Sequence, residues 1–427
     1  MKRVLFFALA FCVIGTTAIA QVDANGYTTV NVTMGKSYAN RVFFDFSANK
    51  LTVQPSDNWD VAFYRNSAQD FGARINDAMN VETYQVSNDP SLWDAITTTA
   101  STGTVMYNSD ITERIQDGVF SQGNPGCANP AFAFGFGCYN VGTHHIEGKV
   151  IYLLKYGNGN YVKFMITDYY GGYTFKYAKW NGSAWGTTIT KTIANGSADA
   201  YFNYYSFTND AEVNNNEPAK NDWELMFTRY WTNYNNIMMY RMSGVIQSPR
   251  VTIAKETETQ ALSTAALPPA TNFQKKITTI GHSWKGTNPG SLVENAVYYV
   301  KEDTKYYRMY FIENGGSANG NMTFKFKDIT EEVLGINEIV KKANFGIFPN
   351  PAPNKQVTVV YDIKNTSTNK GIITIFDMTG RKVYATEIGK EQGFFKKELQ
   401  LSGLSEGTYL INLNVDGVSE TKKLILK

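Results

Sequence analysis

The sequence predicts a mainly β protein, with two related antiparallel β domains followed by a small β-sandwich. Three observations carry this prediction. One heptapeptide pattern occurs twice, as Trp59-Asp60-Val61-Ala62-Phe63-Tyr64-Arg65 and as Trp223-Glu224-Leu225-Met226-Phe227-Thr228-Arg229. Side chains of an extended chain alternate faces, so Trp59, Val61 and Phe63 are expected on one face, as are Trp223, Leu225 and Phe227, and each motif reads as a core strand. The 27 Tyr and 26 Phe, with frequent Thr and Asn, favour strands over helices. Short apolar runs separated by turns recur through the C-terminal part of the chain.

At 427 residues the chain exceeds what one hydrophobic core usually supports, which implies two to four domains. Residues 1–20 read as a secretory signal peptide: Lys2 and Arg3, an apolar run, then Ala18-Ile19-Ala20, with cleavage between Ala20 and Gln21. Cys12 lies behind Phe11, a residue too large for the position before a lipidated cysteine, so a lipoprotein anchor is not expected. No later stretch holds about 20 uninterrupted apolar residues, so no transmembrane helix is expected after signal removal.

The first copy is expected over residues 21–190 and the second over 191–332. Each opens on a hairpin, Phe43-Phe44-Asp45-Phe46-Ser47 corresponding to Tyr204-Tyr205-Ser206-Phe207-Thr208, and a polar turn holding Pro55 or Pro218 leads to the Trp motif. A second hairpin follows in each, residues 150–155 with 161–166 and residues 297–301 with 306–311, and each copy closes on a similar strand, 173–177 or 322–326. Unequal spacing between the copies is what variable loops on a duplicated fold produce. Residues 255–271, with Pro268-Pro269 near their end, read as a surface loop or short helix. A polar linker, 333–346, leads to a β-sandwich over 347–427, with strands at 357–363, 371–376, 382–388, 395–401, 408–415 and 422–426.

Net charge is +2 overall but uneven. Residues 341–427 carry 13 Lys and Arg against 8 Asp and Glu, which leaves the central region acidic once Lys2 and Arg3 are removed. A nucleic-acid partner is therefore not expected. Cys127 and Cys138, flanked by Gly and Pro, read as a local disulfide in an oxidising compartment. The competing zinc reading lacks further thiols and the short ligand spacing.

No catalytic constellation emerges, so the protein is expected not to be an enzyme. Gly403-Leu404-Ser405-Glu406-Gly407 fits the G-x-S-x-G pattern of hydrolases, but it lies in a turn between short strands and no His follows residue 282. The pairs Asp57 with Asp60 and Asp222 with Glu224 suit solubility and turn formation at least as well as glycoside hydrolysis.

Two resemblances add to this reading. Residues 347–427 resemble the C-terminal sorting domain of type IX secretion cargo, an immunoglobulin-like β-sandwich, through Pro349-Asn350-Pro351, Asp377-Met378-Thr379-Gly380-Arg381-Lys382-Val383, Leu401-Ser402-Gly403-Leu404, Gly407-Thr408-Tyr409 and the Lys422 to Lys427 end. This implies engagement of the type IX secretion machinery and export to the cell surface or medium. The duplicated unit resembles the HmuY family of secreted haem-binding proteins, through Tyr204-Tyr205-Ser206-Phe207, Trp223-Glu224, Phe227, Arg229, the Tyr306 hairpin, the Thr323-Phe324 strand and their first-copy equivalents. It implies two tandem domains of that fold and haem or porphyrin as the ligand.

Haemophores of that family hold iron by axial His or Met, and only three His are present. His282, in Ile280-Gly281-His282-Ser283-Trp284-Lys285, is the expected cofactor-binding residue, and Cys138 occupies the corresponding place in the first copy. No metal site beyond haem is expected. The adjacent His144 and His145 are expected to point apart, and Met238 and Met239 are expected on opposite faces of a strand, one of them in the core. The alternatives are a surface adhesion or structural protein that keeps the fold without haem, or a carbohydrate-binding module stacking sugars on Trp180, Trp185 or Trp284.

Overall fold

The Trp-acidic motif opens a buried strand in both copies, but neither strand pairs with the hairpin of its own copy. This follows from a computed structural model, which describes residues 22–427 apart from 66–69, 102, 195–198, 263–265, 287, 334–342, 364–366, 368 and 417. The expected signal segment, with its expected cleavage between Ala20 and Gln21, lies outside the described residues. The chain divides into two compact units, Met1–Thr330 and Glu331–Lys427.

In the first unit the N-terminal segment supplies β1 (Thr28–Thr33) and the hairpin of β2 (Asn40–Asp45) and β3 (Lys50–Pro55). Residues 59–215 supply β4 (Val61–Tyr64), β5 (Ala73–Ile75), β6 (Val81–Ser87), β7 (Ala133–Phe134), β8 (Gly137–Tyr139), β9 (Ile146–Gly148), β10 (Ile151–Tyr156), β11 (Tyr161–Tyr169), β12 (Gly172–Lys179), β13 (Ile189–Ala194), β14 (Phe202–Ser206) and β15 (Ala211–Val213). Residues 223–330 supply β16 (Leu225–Tyr234), β17 (Met238–Gln247), β18 (Val251–Thr257), β19 (Ala296–Glu302), β20 (Lys305–Asn314) and β21 (Asn321–Asp328).

The pairings among these strands are antiparallel. The first-copy hairpin runs along the second-copy motif strand, with Phe44 opposite Leu225 and Val42 opposite Phe227. Reciprocally, the second-copy hairpin runs along β4, with Tyr205 opposite Val61 and Phe202 opposite Tyr64. The strand preceding each hairpin does the same: β1 pairs with β21, Thr28 opposite Phe326, and β13 pairs with β12, Gly172 opposite Ala194. One structural half is thus the continuous stretch 59–215, and the other is 223–330 completed by 22–55.

Burial follows this division. One apolar core joins Val61 and Phe63 to Tyr205, Phe207, Phe164 and Phe175. A second joins Val42, Phe44 and Phe46 to Leu225, Phe227, Tyr298 and Phe324. The expected boundary at residue 190 falls inside β13, a strand paired to β12, so it does not separate compact units. A third cluster, holding Phe43, Trp59, Tyr204, Trp223, Tyr230 and Ile246, lies between the halves.

The motif tryptophans belong to that third cluster, which corrects the single-face reading: Val61 and Phe63, or Leu225 and Phe227, face a half's own core, whereas the Trp faces the other half. Each Trp stands before the regular strand, so period-two alternation does not extend to it. Trp223 meets Phe43 edge-on at 5.2 Å and Trp59 meets Tyr204 at 5.0 Å, an equivalent contact in each copy.

The acidic residue of the motif is buried in both copies, not a solvated turn residue. The Glu224 backbone N–H donates to the Phe44 carbonyl at 2.9 Å, and its Oε2 accepts the Phe46 N–H at 2.8 Å. The Asp60 N–H donates to the Tyr205 carbonyl at 2.8 Å, and its Oδ2 accepts the Phe207 N–H at 2.6 Å. Each carboxylate therefore satisfies the backbone of the other copy's hairpin where it turns, a group that would be costly to leave unpaired.

Residues 255–257, expected in a loop, extend β18 along β19 because Lys255, Glu256 and Thr257 pair with Tyr298, Val297 and Ala296. Their polarity hid a strand with one solvated face.

The second unit is a two-sheet sandwich. One sheet is ordered β22 (Ala343–Phe348), β23 (Gln356–Ile363), β26 (Gly393–Gln400); the other β25 (Lys382–Glu387), β24 (Ile372–Phe376), β27 (Gly407–Val415), β28 (Val418–Leu426). Alternate residues such as Val357, Val359, Ile373, Ile375, Ile411 and Leu413 fill the space between the sheets. β22 begins at residue 343, within the stretch expected as linker.

Its signature residues are structural. Asp377 Oδ1 accepts the N–H groups of Thr379 and Arg381, Arg381 Nε donates to Asp377 Oδ2 at 3.1 Å, and Gly380 takes the left-handed conformation (φ 83°) the turn requires. Asn350 clasps the last strand, donating to the Lys423 carbonyl and accepting the Ile425 N–H. The G-x-S-x-G stretch is a turn in which the Ser405 carbonyl accepts the Tyr409 hydroxyl at 2.8 Å.

Candidate functional site

β16 and β17 form a long hairpin. Ten residue pairs run from Leu225 opposite Gln247 to Tyr234 opposite Met238, whereas β2 accompanies only Leu225, Met226 and Phe227. The outer part of the hairpin thus extends past the neighbouring strand, ending in a turn where Asn235 and Asn236 take positive φ. Directly opposed residues share a face, so Tyr230 with Met242, Thr232 with Tyr240 and Tyr234 with Met238 form one surface.

His282 stands against that surface. Its Nδ1 and the Tyr230 hydroxyl are hydrogen-bonded at 2.8 Å, and its ring centre lies 6.2 Å from that of Tyr230 and 6.0 Å from that of Tyr234. The segment is brought there by close backbone approach: Val245 N–H donates to the Gly281 carbonyl at 2.9 Å and Gly281 N–H returns a bond at 3.1 Å. A side chain on Gly244 would come within 2.4 Å of the Gly281 oxygen, and Gly281 itself has φ 49°, so glycine is required at both positions. Burial, then nearby Lys285, lowers the His282 pKa, which favours the neutral imidazole.

Tyr230, Tyr234 and Tyr240 were not singled out from the sequence; the signal that could have found them is the alternation through 230, 232 and 234 facing 238, 240 and 242. Met238 and Met239 do lie on opposite faces, but neither is in the core. Met238 is 56 % exposed at the hairpin tip beside Ile237, which is 81 % exposed, and Met239 is half-buried. Core packing requires a neighbouring strand, and β2 stops short of this level.

Cys127 and Cys138 are joined as a disulfide with Cα atoms 5.7 Å apart, tying the loop that contains β7 to β8. They are far in sequence from His282 and in the other structural half. His144 bonds the Tyr139 hydroxyl through Nδ1, whereas His145 bonds Asp168 and stacks on Tyr170 at 4.5 Å, so the two point to different partners. Trp284 is 1 % exposed and stacked on Phe311 at 4.0 Å, which removes it as a sugar platform. Trp180 and Trp185 pack edge-on against each other.

Residues 346–427 match the secretion system C-terminal sorting domain, and residues 37–181 match the HmuY protein family model. The protein is exported. The sorting domain makes it cargo of the type IX machinery, destined for the cell surface or the extracellular space. The HmuY match is single: it spans the first Trp motif, and the second copy, which carries His282, lies outside it. Tandem HmuY domains are thus not shown, although the two copies exchange hairpins in equivalent ways. No curated protein matches the chain. Among the described residues no helix is long and apolar enough to cross a membrane.

Proposed function

We propose that the exported protein is a non-enzymatic binder of haem or a related porphyrin, and that the ligand lies on the face of the β16–β17 hairpin beside His282. The observation that carries the reading is the setting of His282: half-buried, hydrogen-bonded through Nδ1 to Tyr230, with no hydrogen bond from Nε2 among the described residues, and with burial favouring the neutral form. A neutral imidazole whose second nitrogen is fixed by a hydrogen bond is the form that ligates iron. When Nδ1 carries the proton and donates to Tyr230, the Nε2 lone pair is the one presented to a ligand.

The surroundings fit the group. Tyr234 and Tyr240 offer flat apolar surface, and Met238 places a thioether, the other side chain that serves as a haem axial ligand, on the same face. Lys255 and Lys276 are near enough to act on the charge of His282 and would complement porphyrin carboxylates. Haem would supply a flat apolar macrocycle and an iron with open axial positions; the chain's part is to present one oriented nitrogen and an aromatic wall.

The test is a titration of haemin into the exported chain followed in the Soret region. A saturable, red-shifted band at one equivalent is expected. A haemin spectrum that stays that of the free compound across the titration removes the reading and leaves an adhesion or structural role.

A further inference from the structure

The opposite face of the same hairpin carries a separate feature. Arg229, opposite Ser243, and Trp231, opposite Arg241, alternate with the residues that face His282. Arg229, Arg241 and Lys285 line one cavity of about 240 Å3, together with Tyr38, Ser243 and Asn314. The cavity thus gathers three cationic side chains.

Their charge is only partly balanced, by Asp77 acting on Arg241. Among the described residues none of the three forms a salt bridge: Lys285 donates to the Ser243 hydroxyl at 2.5 Å, and Arg241 donates to the Ala78 carbonyl at 2.8 Å. Arg229 lies over the Tyr38 ring at 5.5 Å, and its Nε is buried with no partner. Lys285 is only 9 % exposed, and Asn314, 4 % exposed, leaves its amide oxygen unpaired. A cationic group that is buried or half-buried is stabilised by an opposite charge, so three of them around one cavity favour an anionic ligand there. The stress is visible in Lys285, whose pKa burial, followed by the charge of Arg229, pulls down to about 8.

We infer that this cavity binds a doubly charged oxyanion, the phosphate group of a phosphomonoester or free phosphate itself. Guanidinium groups present paired N–H donors to a tetrahedral oxyanion, and a lysine adds a point charge. The cavity holds roughly eight times the liquid volume of one water, more than a bare phosphate needs. The rest of a phosphomonoester would lie along Tyr38 at its rim. The unpaired Asn314 oxygen is an acceptor suited to a hydroxyl on the ligand. The site does not require bound haem, because Arg229 and Arg241 lie on the other face of the hairpin from His282 and Lys285 reaches it through Ser243 on that face.

Isothermal titration calorimetry on the exported chain tests this, with inorganic phosphate and glycerol phosphate as ligands and chloride at matched ionic strength as control. Saturable binding at one site is expected, weakened at least tenfold by Arg229→Gln and by Lys285→Met and unchanged by His282→Ala. Tighter binding of glycerol phosphate than of phosphate identifies an organic headgroup; equal binding identifies free phosphate. Lys285→Met is expected to melt at or above the wild-type temperature, because it removes an unpaired buried charge, whereas a merely structural lysine would lower it. Absence of saturable heat with both ligands, or binding unaffected by both substitutions, overturns the inference.

Discussion

Among individual residues, Glu224 and Asp60 explain most. Each follows a motif Trp, and each is buried so that its carboxylate can accept a backbone N–H from the other copy's hairpin. Glu224 also shares the Arg250 guanidinium with Glu302. Burial is the main cause that raises its pKa from 4.5 to about 7. The folded protein therefore holds a proton on Glu224 that the unfolded chain releases, and this contribution to stability is lost as pH rises from about 4.5 through 7. Its size is on the order of 3 kcal/mol at 1.36 kcal/mol per pH unit. Glu224→Gln should flatten the fall in melting temperature between pH 5 and pH 8, and calorimetry at several pH values measures it; an equally steep fall in the variant contradicts the assignment. The repetition of these acids was legible in the sequence, but their burial was not, because the backbone they satisfy lies in another part of the chain.

At the scale of elements, the hairpins were readable from alternation, and 297–301 with 306–311 appear as β19 and β20. What alternation cannot supply is the partner of each strand. A strand bounded by Pro and Asn pairs equally well with any edge whose side chains complement it, and here the better edge belongs to the other copy. The candidate site depends on the same kind of non-local fact: His282 could be singled out as a residue, but the Tyr230 that orients it is 52 residues away in sequence. Gly244→Ala tests the element that joins them. Its Cβ would meet the Gly281 carbonyl oxygen at 2.4 Å, so the segment must shift, at a cost of about 1–3 kcal/mol. Both a lower melting temperature and loss of haemin binding are expected; a variant with wild-type stability would show that this close approach is not required.

For the whole first unit, the two halves are a continuous stretch, 59–215, and a closed one in which 22–55 returns to complete 223–330. The sequence repeat was legible, whereas the closure was not, since repeat boundaries and structural boundaries differ by the length of one strand and hairpin. A circular permutant of this unit, joining residue 330 to residue 22 by a short linker and opened near Lys220, makes both halves continuous. It is expected to fold with a melting temperature within a few degrees of the parent, as read by circular dichroism, because no pairing is cut. Deleting 22–55 instead removes Val42, Phe44 and Phe46 from the second core and should leave residues 223–330 unable to fold. The functional claim rests on one side chain of that second half. The most direct measurement is therefore the absorption spectrum and affinity of the haemin complex formed by His282→Ala beside the wild type: a displaced Soret band with binding weakened at least tenfold is predicted, and an unchanged spectrum with unchanged affinity would contradict the account.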